Sequence, residues 1–245
     1  MKYLFLAFLV SCTAMKGADD LPAKTCEELI DDLQKLDGFT IGQHPTAWID
    51  QFIAEESQPK FTGGIMGSQK PIIYPAMKEL VARGTAAIPD LLLHLDDARP
   101  TKLEIREENH ITWARICNDY NNKPLRGHGA YAYKEESLEL PYRILVGDVC
   151  LVVLGQITNR PQVGVRYRPS GGVQICSPIK YPEIVASARE DWSGFQSSDL
   201  CSLLLDDIAQ AKYPPEEEGA LRRIKFYFPA HYDEALAAQK LKAEK

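Results

Sequence analysis

The sequence predicts a mainly α-helical domain packed around one central buried helix, with a single small β-hairpin beside it. Three observations carry this. Within residues 142–161, YRILVGDVCLVVLGQITNRP, the apolar run from Ile144 to Ile157 is interrupted only by Gly147, Asp148, Gly155 and Gln156 and has almost no polar face. A helix that is apolar all round is buried all round, and this one is shorter than the ~20 residues a bilayer needs. Most other segments place apolar residues three and four apart between capping residues, the spacing of amphipathic helices. Only 162–178 alternates with the period of a strand.

In chain order, Met1-Lys2 is a short positive start and 3–10 (YLFLAFLV) a continuous apolar run. Small residues follow. That pattern predicts a secretory signal, placing the protein in the cell envelope or outside the cell. Leu9-Val10-Ser11-Cys12 resembles the lipobox of bacterial lipoproteins. The resemblance implies cleavage before Cys12 and lipidation of that cysteine, although only eleven residues precede it. Simple cleavage after Ala14 or Ala18 is the competing route. The organisation is then a signal peptide at 1–11, a small polar tether at 12–24 and one domain at 25–245. Loss of Lys2 would move the net charge from −6 to −7. An acidic chain of this kind is a poor ligand for nucleic acid, and contact with a membrane would come only through the lipid anchor.

The next segments read as helices. Thr25 and Glu28 form a capping box ahead of Leu29, Ile30, Leu33 and Leu36, with Gly38 as the stop. A short helix after Pro45 carries Trp48, Ile49, Phe52 and Ile53. The loop 57–71 is glycine-rich. A helix at 72–83 turns Tyr74, Met77, Leu80 and Val81 inward and ends at Gly84, and another spans 86–95. The stretch 80–97, LVARGTAAIPDLLLHLDD, is similar to the turn and second helix of a HEAT-type repeat through Gly84, Ala87, Ile88, Pro89, Leu91, Leu92, Leu95 and Asp97. Residues 146–157 look like the first helix of a following repeat. The resemblance implies helical hairpins and a binding surface, not an activity. About 45 residues separate the two matches, more than an array of repeats allows.

That interval, 99–140, reads as an insertion holding a charged stretch at 102–108, Trp113, Tyr120, Tyr131, Tyr133 and Gly127-His128-Gly129. After the central helix, Val163, Val165 and Tyr167 alternate with Gly164, Arg166 and Arg168. A turn at 169–172 and a second alternation complete a hairpin. The remainder is helical. Pro182 opens one helix, Ser197-Ser198 cap another, and Pro214-Pro215 with three glutamates start a third. Pro229 breaks that helix before a polar final one.

The chemistry is sparse. No zinc-protease, nucleophile-elbow or phosphate-loop motif is present. Gly127, Gly129 and Ala132 match a dinucleotide fingerprint by spacing but follow no buried strand. Six cysteines, at 12, 26, 117, 150, 176 and 201, have no metal-site spacing. Cys150 and Cys201 read as buried thiols, and Cys117 and Cys176 as the better candidates for bridging, with pairing undetermined. No metal or cofactor is expected. The candidate ligand-binding residues are His128, Tyr131, Tyr133, Arg166 and Arg168, since guanidiniums and glycine-flanked aromatics suit an anionic group. Arg160 is close to them in sequence. For these three arginines, pairing with this chain's own surplus acids is the simpler expectation. Asp148, inside the apolar helix, must be neutral or paired, and an arginine (Arg143 or one of the hairpin pair) is its expected partner.

These readings point to an exported, lipid-anchored envelope protein acting as a helical scaffold for another envelope or extracellular protein, with no catalysis predicted. The alternative is a hydrolase acting on an envelope substrate through His128, the insertion tyrosines and the two hairpin arginines.

Overall fold

The computed structural model describes residues 23–37, 52–55, 74–106, 113–118, 120, 134–160, 164–168, 172–211 and 214–243. Along the chain come α1 (Cys26–Asp32), α2 (Pro75–Ala82), α3 (Ile88–Leu93), β1 (Pro100–Ile105), β2 (Trp113–Cys117), β3 (Glu135–Ser137) and β4 (Tyr142–Leu145). Then follow α4 (Val146–Thr158), β5 (Val165–Arg168), β6 (Gly172–Cys176), α5 (Pro182–Trp192), α6 (Ser197–Gln210), α7 (Pro214–Tyr227) and α8 (Tyr232–Ala243). Helices take 59% of the described residues, so the fold is mainly α.

Every residue of α4 is buried, as an all-round apolar sequence requires. The helices α2 and α3 and the strand β4 pack on it. Its start is fixed by close backbone approach. Gly147 N–H donates to Asp97 carbonyl at 3.0 Å, and a Cβ at 147 would lie 2.3 Å from Leu95 carbonyl oxygen. Only glycine fits there.

The helix starts follow the capping residues closely. Thr25 and Glu28 make the expected capping box on α1. Gly84 adopts the left-handed conformation (φ 59°) that ends α2, and Tyr227 of α7 packs against it. On α6 the cap is Gln196 with Asp199, one residue ahead of the serines. The predicted stop at Gly38 lies outside the described residues, as does most of the helix after Pro45. Of that helix, Phe52 is described, buried edge-on against Phe226 and Tyr227 of α7.

The strand content exceeds the single hairpin expected. β5 and β6 do form that hairpin, but it is half of a four-stranded sheet in the order β3-β2-β6-β5. In it β2 pairs parallel with β6, and β3 antiparallel with β2. β1 and β4 make a separate antiparallel pair leading into α4. So the stretch 99–140 supplies three strands. In β1 Thr101, Leu103 and Ile105 are buried while Lys102 is exposed, a period of two inside what reads as a charged run. Where the sheet is tightest, Trp113 lies across Gly172, and a Cβ at 172 would meet its ring at 1.9 Å.

Candidate functional site

None of the candidate ligand-binding side chains, nor Cys12, is among those the structure describes. Cys12, His128, Tyr131 and Tyr133 lie outside the described residues. Arg166 and Arg168 are on β5, opposite Gln174 and Gly172, but their side chains are outside the description too. What the structure does assemble is polar chemistry at both ends of α4 and a groove between the last two helices.

At the N-terminal end, Asp148 is fully buried. One carboxylate oxygen, Oδ2, accepts from Leu145 N–H at 3.0 Å and from the Tyr142 hydroxyl at 3.4 Å. The buried Ser177 hydroxyl also bonds the carboxyl. Its other oxygen, Oδ1, has no hydrogen-bond partner among the described residues. Among the described residues no arginine is its partner, and the side chains of the hairpin arginines lie outside the description. Arg143 lies on the exposed side of β4 and faces Glu104 at 3.7 Å across the β1–β4 ladder, while Ile144 takes the buried side. Asp148 is instead the third residue of α4, where a carboxylate satisfies the open N–H groups of a helix start. Burial pushes its pKa up to about 6, against the three hydrogen bonds, which favour the ionised form.

Ser177 follows β6, so this polar cluster sits at the carboxyl ends of the parallel pair β2 and β6. Cys117 and Cys176 are the last residues of those strands and lie opposite one another. Just beyond, buried Asn118 accepts from Lys134 N–H at 2.7 Å and donates to Glu183 at 3.3 Å. The Tyr181 hydroxyl reaches Glu136 at 3.2 Å, and burial together with that contact pushes its pKa up to about 12.

At the C-terminal end of α4 two arginines are buried, Arg160 and Arg223. Arg223 donates to the carbonyls of Gln156 (2.6 Å) and Gly219 (2.8 Å) and to the Asn159 side chain (3.0 Å). It also lies over the Phe52 ring at 4.8 Å. Burial lowers its pKa to about 10. Arg160 donates to the carbonyls of Thr158 and Asn159 and pairs with Asp207 at 2.6 Å. Cations on the last carbonyls complement the negative end of the helix dipole. Arg160 therefore pairs with an acid of its own chain, as the simpler expectation had it. Arg223 escaped the sequence reading. Its signal was its place at i+3 between Ala220, Ile224 and Tyr227, on the inward stripe of α7.

A third cluster ties α1 to the end of α3. His94 contacts Glu27 at 3.0 Å and Asp97 at 3.1 Å, and Asp97 also binds Arg99. Burial works to lower the imidazole pKa, but the two carboxylates outweigh it and the pKa is raised.

Open to solvent is a groove of about 460 Å3 between α7 and α8. Leu221 and Leu236 lie in it, and Glu218, Arg222, Lys225 and Gln239 line it with Tyr232. The Lys225 ammonium sits 5.9 Å from the Tyr232 ring centre. Phe226 of the same helix is 40% exposed.

Among the described residues no cluster has the donors for a metal ion, and no helix is long and apolar enough to cross a membrane. No protein-family model, curated protein or solved structure matches this chain.

Proposed function

We propose that the chain is an exported envelope protein, held by lipid at Cys12, whose helical body binds another protein. On this reading α2 and α3 act as a HEAT-like helical pair, and the C-terminal helices present the contact surface. The observation that carries it is the α7–α8 groove. It combines an apolar floor, an amphipathic tyrosine and a rim of both charge signs, the composition of a protein-binding patch. The buried ionisable groups support the same reading, because Asp148, Arg160 and Arg223 bond to backbone at the two ends of α4. Their placement serves the fold.

The test is affinity capture from envelope extract with the wild-type chain and with Lys225→Glu/Gln239→Glu, both on the groove. The expected outcome is a partner retained by wild type and weakened at least tenfold by the variant, with an unchanged circular dichroism spectrum. Saturating capture that recovers no partner counts against the scaffold reading.

A further inference from the structure

Cys117 and Cys176 come from segments 59 residues apart, yet their sulfurs lie 3.3 Å from each other. The cause is the sheet. β2 and β6 run parallel in a single register from Trp113↔Gly172 to Cys117↔Cys176, so the two cysteines are direct neighbours on adjacent strands. Such residues share a face and stand about 4.8 Å apart. That spacing falls within the roughly 4.4–6.8 Å between Cα atoms that a disulfide spans. The Gln174 side chain, two residues before Cys176, donates to Cys117 Sγ at 3.1 Å and holds that sulfur in place.

We propose that Cys117 and Cys176 are the site of an intramolecular disulfide that closes during oxidative folding. The chemistry needs a two-electron oxidant, and a disulfide of low molecular weight or of a thiol oxidase supplies it. One thiolate attacks that disulfide and releases a reduced thiol. The second cysteine then attacks the mixed disulfide and releases another. The net change is two protein thiols and one disulfide giving one protein disulfide and two reduced thiols. Both cysteines have no exposed surface in the folded chain, so exchange precedes closure of the sheet. Once made, the bond ties the stretch after β1 to the hairpin after α4 and closes a long loop, which restricts the unfolded chain most. The remaining described cysteines are differently placed. Cys150 and Cys201 are buried in helices, and Cys26 accepts from Arg83 at 3.3 Å. The export reading enters only as the source of the oxidant in the cell; the sulfur pair stands without it.

The test is to reduce and unfold the purified chain, refold it in oxidised and reduced glutathione, alkylate the remaining thiols and map the peptides. The expected product is a single Cys117–Cys176 linkage, with Cys26, Cys150 and Cys201 alkylated. Reductant should lower Tm by roughly 5–15 °C in wild type and leave Cys117→Ser/Cys176→Ser unmoved. A refolded protein in which Cys117 and Cys176 are both alkylated, or in which another pair is linked, overturns the proposal. Mapping the same peptides from cells tests the compartment separately. A bridge that forms in glutathione but is missing in the cell would count against export and leave the pair intact.

Discussion

Asp148 is a carboxyl on which a helix start and an apolar core make opposite demands. The helix start offers donors to the ionised form, and burial penalises that form. Burial wins, with the pKa raised from 3.8 to about 6. Between those values the folded state holds more proton than the unfolded state. Stability from this group is therefore fully present below about pH 4 and is lost as pH rises through 6. The loss is about 3 kcal/mol at most. In urea unfolding, wild type should be the more favoured relative to Asp148→Asn at pH 4, and that advantage should shrink by about 1–3 kcal/mol by pH 7. Groups common to both proteins, His94 among them, cancel in the difference. Parallel stability curves for the two proteins would show that the carboxyl does not titrate in this window. The oddity of Asp148 was legible in the sequence, since a lone acid in an apolar helix must be accounted for. Its partner was not. The choice between a distant arginine and the N–H groups three residues upstream depends on where the helix begins, and Tyr142–Leu145 is strand, not helix.

At the scale of the element, α4 is capped by charge of the appropriate sign at each end. Around its C-terminal end two guanidiniums are buried; Arg160 pairs with Asp207, which also accepts from Asn159 at 3.0 Å and attracts Arg223 without bonding it. Removing that carboxylate leaves Arg160 buried without its counter-charge. Asp207→Asn should then cost about 3–5 kcal/mol, more than a surface ion pair could explain. A cycle with Arg160→Gln should show a coupling of about 1–3 kcal/mol, read from urea midpoints. Additive effects would mean that the pair is not energetically linked. Helices with local signals were legible: the Thr25 capping box, Gly84, Pro182 and the Pro214 start all fall where the sequence puts them, within a few residues. The strands β1, β2 and β3 were not. β1 pairs with β4 about 40 residues on, and β2 pairs with β6 across α4. A short alternation among charges, such as Thr101, Leu103 and Ile105, becomes decisive only when that distant partner is known.

For the whole molecule, the helical body, the sulfur pair in the sheet and the lipobox-like start make a consistent set. The lipobox-like start implies export and lipid attachment under the proposed function, and a bridge at the sulfur pair would suit a compartment where thiols oxidise; the helical body is compatible with both and points to neither. The candidate site was the least legible part of the chain. His128, Tyr131 and Tyr133 rested on composition alone, whereas the α7–α8 groove arises from two helices meeting, which no local pattern announces. The proposed scaffold is exported and carries a lipid anchor. Its most direct test is the intact mass of the protein recovered from the membrane fraction of a bacterial host, before and after reduction. The expected mass is a chain beginning at Cys12 with acyl groups attached, gaining two hydrogens on reduction. An unprocessed chain beginning at Met1, with its mass unchanged by reductant, would contradict it.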